Sequence, residues 1–235
     1  MERTLLFIHI PKTGGSTFRH HMKKVYGPDD VFFQYEKEDQ DVHLREAFDS
    51  KASAICGHLN WFIVQNSGVL QERPFLFTMI RRPQDQVISH FLHRRRGHSW
   101  KNRTELFTDF REFLSEAWSR NWQAAFLSGL DKENYLTPSP DELSGMAMAN
   151  LKKIDLVAST DQLDKAVVFL RRELGWPRIK LEDRNVNKEA QIAETLHAEF
   201  DTRLKELNKA DHALYRYAKS KMNSKWKKLP LWKRF

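Results

Sequence analysis

From Pro11 to Thr17 the chain reads PKTGGST, directly after the apolar run Thr4–Ile10. Seven residues thus hold a lysine, two glycines and three hydroxyls, which are groups suited to an anion. Lys12 supplies a point charge and Ser16 and Thr17 supply donors, while Gly14 and Gly15 let the backbone turn its N–H groups toward a ligand. A helix beginning here would add amides without internal partners and a positive dipole end, the setting for a phosphate. The nucleotide-triphosphatase loop places its lysine after the glycines, as G-x-x-x-x-G-K-[ST]. Here Lys12 precedes them, and no evident acidic magnesium ligand closes a later strand.

A second group with anion chemistry is Arg81, at the start of RRPQDQVISHF (81–91). It ends the apolar run Phe75–Ile80, and ligands approach open α/β sheets at strand ends. Its guanidinium fork suits a terminal phosphate, and Ser89 lies about two turns into the segment that follows. His58 stands just past Ala54–Gly57, where neutral imidazole can take a proton from a hydroxyl. His9 competes for that role but lies within a strand, where packing or orienting is expected. His20 and His21 read as supporting groups. Cys56 and His58 lack a third group for thiol catalysis, and His90 and His93 lack carboxylates for a metal.

PKTGGST resembles the 5′-phosphosulfate loop of sulfotransferases that use 3′-phosphoadenosine 5′-phosphosulfate (PAPS). The resemblance is greatest to the heparan sulfate 2-O- and 6-O-sulfotransferases and their bacterial relatives. Their second signature, R-x-P-x-x-R-x-x-S-x-[FY], is matched at Arg81, Pro83, Ser89 and Phe91. Two positions depart: Arg82 replaces a frequent acid, and Gln86 replaces an arginine whose loss would weaken the 3′-phosphate site if it braces that site. Weaker similarities run through NWQAAFLSG, LKKIDLVASTDQLDKAVVFLRRELGW and ADHALYRYA, and RNVNKE resembles a loop covering the nucleotide.

The resemblance implies a hydroxyl sulfotransferase with PAPS as co-substrate and no metal. Pro11, Lys12, Thr13, Gly14, Gly15, Ser16 and Thr17 would hold the phosphosulfate, and Arg81 and Ser89 the 3′-phosphate. Lys12 would meet the departing oxygen, and His58, in ICGHLNW, would be the base, as in the similar GLHADW-like stretch of the 6-O branch. The acceptor is expected to be a glycan, anionic if the basic run HRRRGHSWKNR (93–103) lines its groove rather than a solvated face. The alternatives are a nucleotide-dependent kinase and a non-catalytic, basic polyanion- or membrane-binding protein with a PAP-binding fold.

Positioning these groups requires strands that end at one edge. Strand-like and helical segments alternate, which predicts an α/β fold: one P-loop-like domain over residues 1–235, with a central parallel sheet flanked by helices. Strands are expected at 4–10, 31–35, 54–57, 75–80 and 156–158. Helices are expected at 16–26, 41–49, after Pro83, from Phe110 through Trp118, and at 121–127. Further helices follow Ser139 as a cap, Leu163 to Leu174, 192–208 and 210–222.

Seven Trp and sixteen Phe in 235 residues provide core material and argue against disorder. A single cysteine excludes an internal disulfide framework, and the lack of long apolar runs or a secretory pattern predicts a cytoplasmic protein. The net charge of +8 favours polyanions, but no zinc finger, aromatic RNA signature or basic zipper points to specific nucleic-acid binding. The basic tail, about 223–235, contains KWKKLPLWKRF, suited to an anionic membrane, a glycan or an extension of the last helix.

Overall fold

Five short strands, β1 (Leu5–Ile8), β2 (Val31–Gln34), β3 (Ala54–Gly57), β4 (Phe75–Ile80) and β5 (Leu156–Ser159), form one sheet. Its order is β2-β3-β1-β4-β5 and every pairing is parallel. The computed structural model describes residues 3–35, 38–131, 133–135, 137–179, 181, 189–230 and 232. Of RNVNKE only Glu189 is among them, so the expected nucleotide cover lies outside the described residues.

The ten helices of the described residues are α1 (Gly15–Tyr26), α2 (Gln40–Asp49), α3 (Trp61–Asn66), α4 (Pro83–Arg94), α5 (Arg103–Phe113), α6 (Trp122–Leu127), α7 (Pro140–Leu151), α8 (Leu163–Leu174), α9 (Ala190–Leu207) and α10 (Lys209–Lys228). Strand residues alternate between two apolar layers, as pleating requires. Leu6, Ile8, Ile55 and Val157 face a cluster shared with α2, α3, α6, α7 and α10. Leu5, Phe7, Phe77 and Met79 face Phe18 and Met22 of α1 and Ala166 and Leu170 of α8. A third cluster joins α4, α5 and α9 through Phe91, Phe110, Phe113 and Phe200.

Most expected elements are present, and Ser139 caps α7 through a capping box with Glu142. Two points differ. The repeat read through Trp118 stops at Phe113, followed by a short 3-10 turn at Ala117–Ser119. There the Ser115 hydroxyl bonds the Glu112 carbonyl and the Ser119 hydroxyl bonds those of Leu114 and Glu116, drawing the chain off the helix axis. The sequence reading also omitted α3, which is capped by the Asn60 side chain accepting from Ile63 N. No helix among the described residues is long and apolar enough to cross a membrane.

The β1 strand is central. Its chain crosses to the outer β2, returns through β3, and reaches β4 on β1's other side. The carboxyl end of β1 is therefore the switch point where an open parallel sheet leaves a crevice. Residues after β1, β3 and β4 meet there.

Candidate active site

Beyond β1 the backbone turns through two left-handed residues, Lys12 at φ 69° and Gly14 at φ 87°. Gly14 caps α1 without side-chain help, so the first turn presents bare amides. Gly14 and Ser16 are exposed and Lys12 and Thr17 partly so. Thr13 points inward, and its hydroxyl donates to the Ile10 carbonyl at 2.8 Å, shaping the loop from beneath. Gly15 has a steric reason: a Cβ there would lie 1.8 Å from His9 Nε2.

Arg81 follows β4 and reaches across to this loop, its Nη1 donating to the Lys12 carbonyl at 3.0 Å. Its backbone is held twice by one amide side chain. Arg81 N donates to Gln123 Oε1 at 2.8 Å, and Gln123 Nε2 donates to the Arg81 carbonyl at 2.9 Å. Gln123 is positioned in turn by Asp211 of α10, which accepts from Gln123 N at 3.2 Å and Ala124 N at 2.7 Å. Burial pushes the Asp211 carboxyl up to about 7, although those amides favour its ionised form. Beside it, Asn208 accepts from Asn121 N while Asn121 accepts from Ala210 N, tying the starts of α6 and α10 together. The sequence displayed Asn121, Gln123 and Asp211 in NWQAAFLSG and ADHALYRYA, but nothing in their types revealed that they would hold Arg81.

The two departures noted in the second motif have definite places. Gln86 donates to the Pro11 carbonyl at 3.3 Å, bracing the loop. Arg82 is exposed and lies 3.7 Å from Asp201. Ser89 is partly exposed, two turns along α4.

His58 leaves β3 with its amide on the Gln34 carbonyl at 3.2 Å. Gly57 permits this close pass, since a Cβ would stand 2.2 Å from Gln34 O. The His58 and His9 ring centroids are 4.8 Å apart, and Tyr35 meets His58 edge-on at 4.7 Å. Tyr35, unanticipated in the sequence, also lies 3.1 Å from His9 Nδ1 and 3.2 Å from Cys56 Sγ.

Charge is distributed unevenly around this crevice. Desolvation first, then Arg19, Lys12 and His93, hold His58 down at about 4. Desolvation, then His58, Arg19 and Lys12, hold His9 at about 3. His90 on α4 is held at about 4 by burial and by Arg94, Lys12 and His93. Lys12 itself is lowered by burial, Arg81 and Arg96. Arg81 is lowered by burial and opposed by Asp85. These basic groups depress one another, and an anion placed among them would relieve the strain.

The run 93–103 divides in two. Arg94 pairs with Glu116 at 2.6 Å, and Arg95 pairs with Asp109 at 2.6 Å, where Trp100 Nε1 also donates. After burial, repulsion from Arg81 and Arg96 lowers Lys12, and repulsion from Lys12 and Arg96 lowers His93.

A family model described as "Sulfotransferase family" matches residues 2–218. Among curated proteins none matches the chain.

Proposed function

Since the chain belongs to the sulfotransferase family, we propose that it moves a sulfuryl group from PAPS to a hydroxyl of an anionic carbohydrate. The observation that carries this reading is the convergence of Lys12, Arg81 and His58 at the ends of β1, β4 and β3, within one cationic crevice. In this reading the turn from Gly14 to Ser16, exposed at both ends, receives the 5′-phosphosulfate with Pro11 and Thr17, and Arg81 and Ser89 receive the 3′-phosphate.

His58 is the base. Held well below the ordinary histidine value, it is neutral at physiological pH and can accept the acceptor's hydroxyl proton. As that proton moves to His58, the acceptor oxygen bonds sulfur and the bond from sulfur to the 5′-phosphate oxygen breaks. The electron pair leaves on that oxygen, where Lys12 and the loop amides stabilise the charge. The product nucleotide is adenosine 3′,5′-bisphosphate (PAP). The lysine and amides supply the stabilisation in this scheme, without a resident metal.

The acceptor's negative charge is argued from His93 and Arg96, whose positive potential adds to that of Lys12. Incubating the protein with radiolabelled PAPS and separate pools of anionic and neutral glycans tests the reading. Label is expected in the anionic pool; labelling of neither pool would overturn the assignment.

A further inference from the structure

His9 and Tyr35 have no part in the scheme above, yet they sit at its centre. His9 is 7% exposed, with Nδ1 3.1 Å from the Tyr35 hydroxyl. The same hydroxyl lies 3.2 Å from Cys56 Sγ. Three side chains thus share two hydrogen bonds, and their protons can be assigned.

Burial pushes the Cys56 thiol up to about 12 and raises the Tyr35 phenol, so both retain their protons at neutral pH. His9 is neutral and carries one N–H. An imidazole nitrogen is a strong acceptor and a thiol sulfur a weak one. The phenol O–H therefore goes to His9 Nδ1, and the thiol S–H goes to the phenol oxygen. With Nδ1 accepting, the imidazole proton resides on Nε2. That nitrogen lies against Gly15 at the first turn of α1 and makes no hydrogen bond among the described residues.

Resting on the nucleotide reading above, we propose that His9 is a neutral hydrogen-bond donor whose Nε2–H, fixed by the Cys56–Tyr35 relay, binds the anionic end of the sulfuryl donor. Its lone pair is occupied by Tyr35, which leaves His58 as the base. Tyr35 is a positioning residue.

Long-range ¹⁵N–¹H spectra of the full chain at neutral pH read the tautomer directly. The expected result is an unprotonated Nδ1 and a protonated Nε2 on His9, with Nε2 shifting as PAP is added. In Tyr35→Phe the two tautomers should mix and the PAP Kd should rise about 2- to 10-fold, the scale of one neutral hydrogen bond. An Nδ1–H tautomer in the wild type overturns the proposal whether or not the variant folds. Unchanged PAP affinity in folded Tyr35→Phe overturns it as well. Gly14 and Gly15 amides that ignore PAP would overturn the nucleotide assignment itself, whereas amides that respond beside an Nδ1–H His9 reject only the role of His9.

Discussion

The guanidinium of Arg81 donates to the main-chain carbonyl of Lys12 at 3.0 Å, joining the end of β4 to the loop after β1. One N–H is spent on this bond and fixes the fork beside the anion loop. The two residues proposed to meet opposite ends of the nucleotide are thereby one mechanical unit. Arg81→Ala should weaken PAP by about 1.5–3 kcal/mol, the range for a charged hydrogen bond. Titration calorimetry without magnesium checks it, and unchanged affinity would place the 3′-phosphate elsewhere.

Gln123 extends this relationship one step outward. Gln123→Ala leaves the Arg81 N–H and carbonyl without their partner, at a cost of about 1–3 kcal/mol in stability. The Kd for PAP should rise with it, because the guanidinium loses its fixed origin. Denaturant melts and calorimetry on one preparation separate the effects. Lost stability with unchanged PAP affinity would make Gln123 structural only.

Acid should weaken the fold. His9 at about 3, and His58 and His90 at about 4, bind fewer protons folded than unfolded, so each makes stability rise with pH up to about 6.5. Asp211, raised to about 7, acts oppositely between its ordinary carboxylate range and 7. Three histidines outweigh one carboxyl, so Tm should fall from pH 7 to 4.5. Asp211→Asn removes the opposing group and should steepen that fall. A Tm that rises on acidification would contradict the histidine placement.

The basic run should behave as two populations. Arg96→Ala should raise the acceptor KM about 3- to 10-fold and leave PAP affinity nearly unchanged, as expected for loss of one charged contact. Arg95→Ala should instead cost stability, about 1–3 kcal/mol, because Asp109 loses its bidentate partner. Steady-state kinetics beside thermal melts distinguish them; equal KM effects would merge the populations.

Much of the fold was legible because its signals are local. Continuous apolar runs gave β3 and β4, and Ser139-Pro140 gave the start of α7. Lys12, Arg81 and His58 could be placed because parallel strands end at one edge. What stayed hidden depends on distant pairing. Tyr35 and Cys56 are 21 residues apart, and Gln123 and Arg81 are 42 apart. No periodicity connects such residues. The pairing inside the basic run was hidden for a related reason, since Glu116 and Asp109, which pair with Arg94 and Arg95, come from α5 and the turn beyond it. Composition registers the charges but not their partners.

The most direct test of the account is His58→Ala, assayed for turnover and PAP binding on one folded preparation. Lys12 is proposed to meet the donor, so its loss should impair both; His58 is assigned to the acceptor hydroxyl alone. The account predicts unchanged PAP affinity and a fall in kcat of about 10²–10⁴-fold, the usual contribution of a positioned base. The acidic limb of the wild-type kcat/KM profile, expected near the His58 value of about 4, should vanish in the variant. Turnover close to wild type would contradict the account and remove His58 from the chemistry.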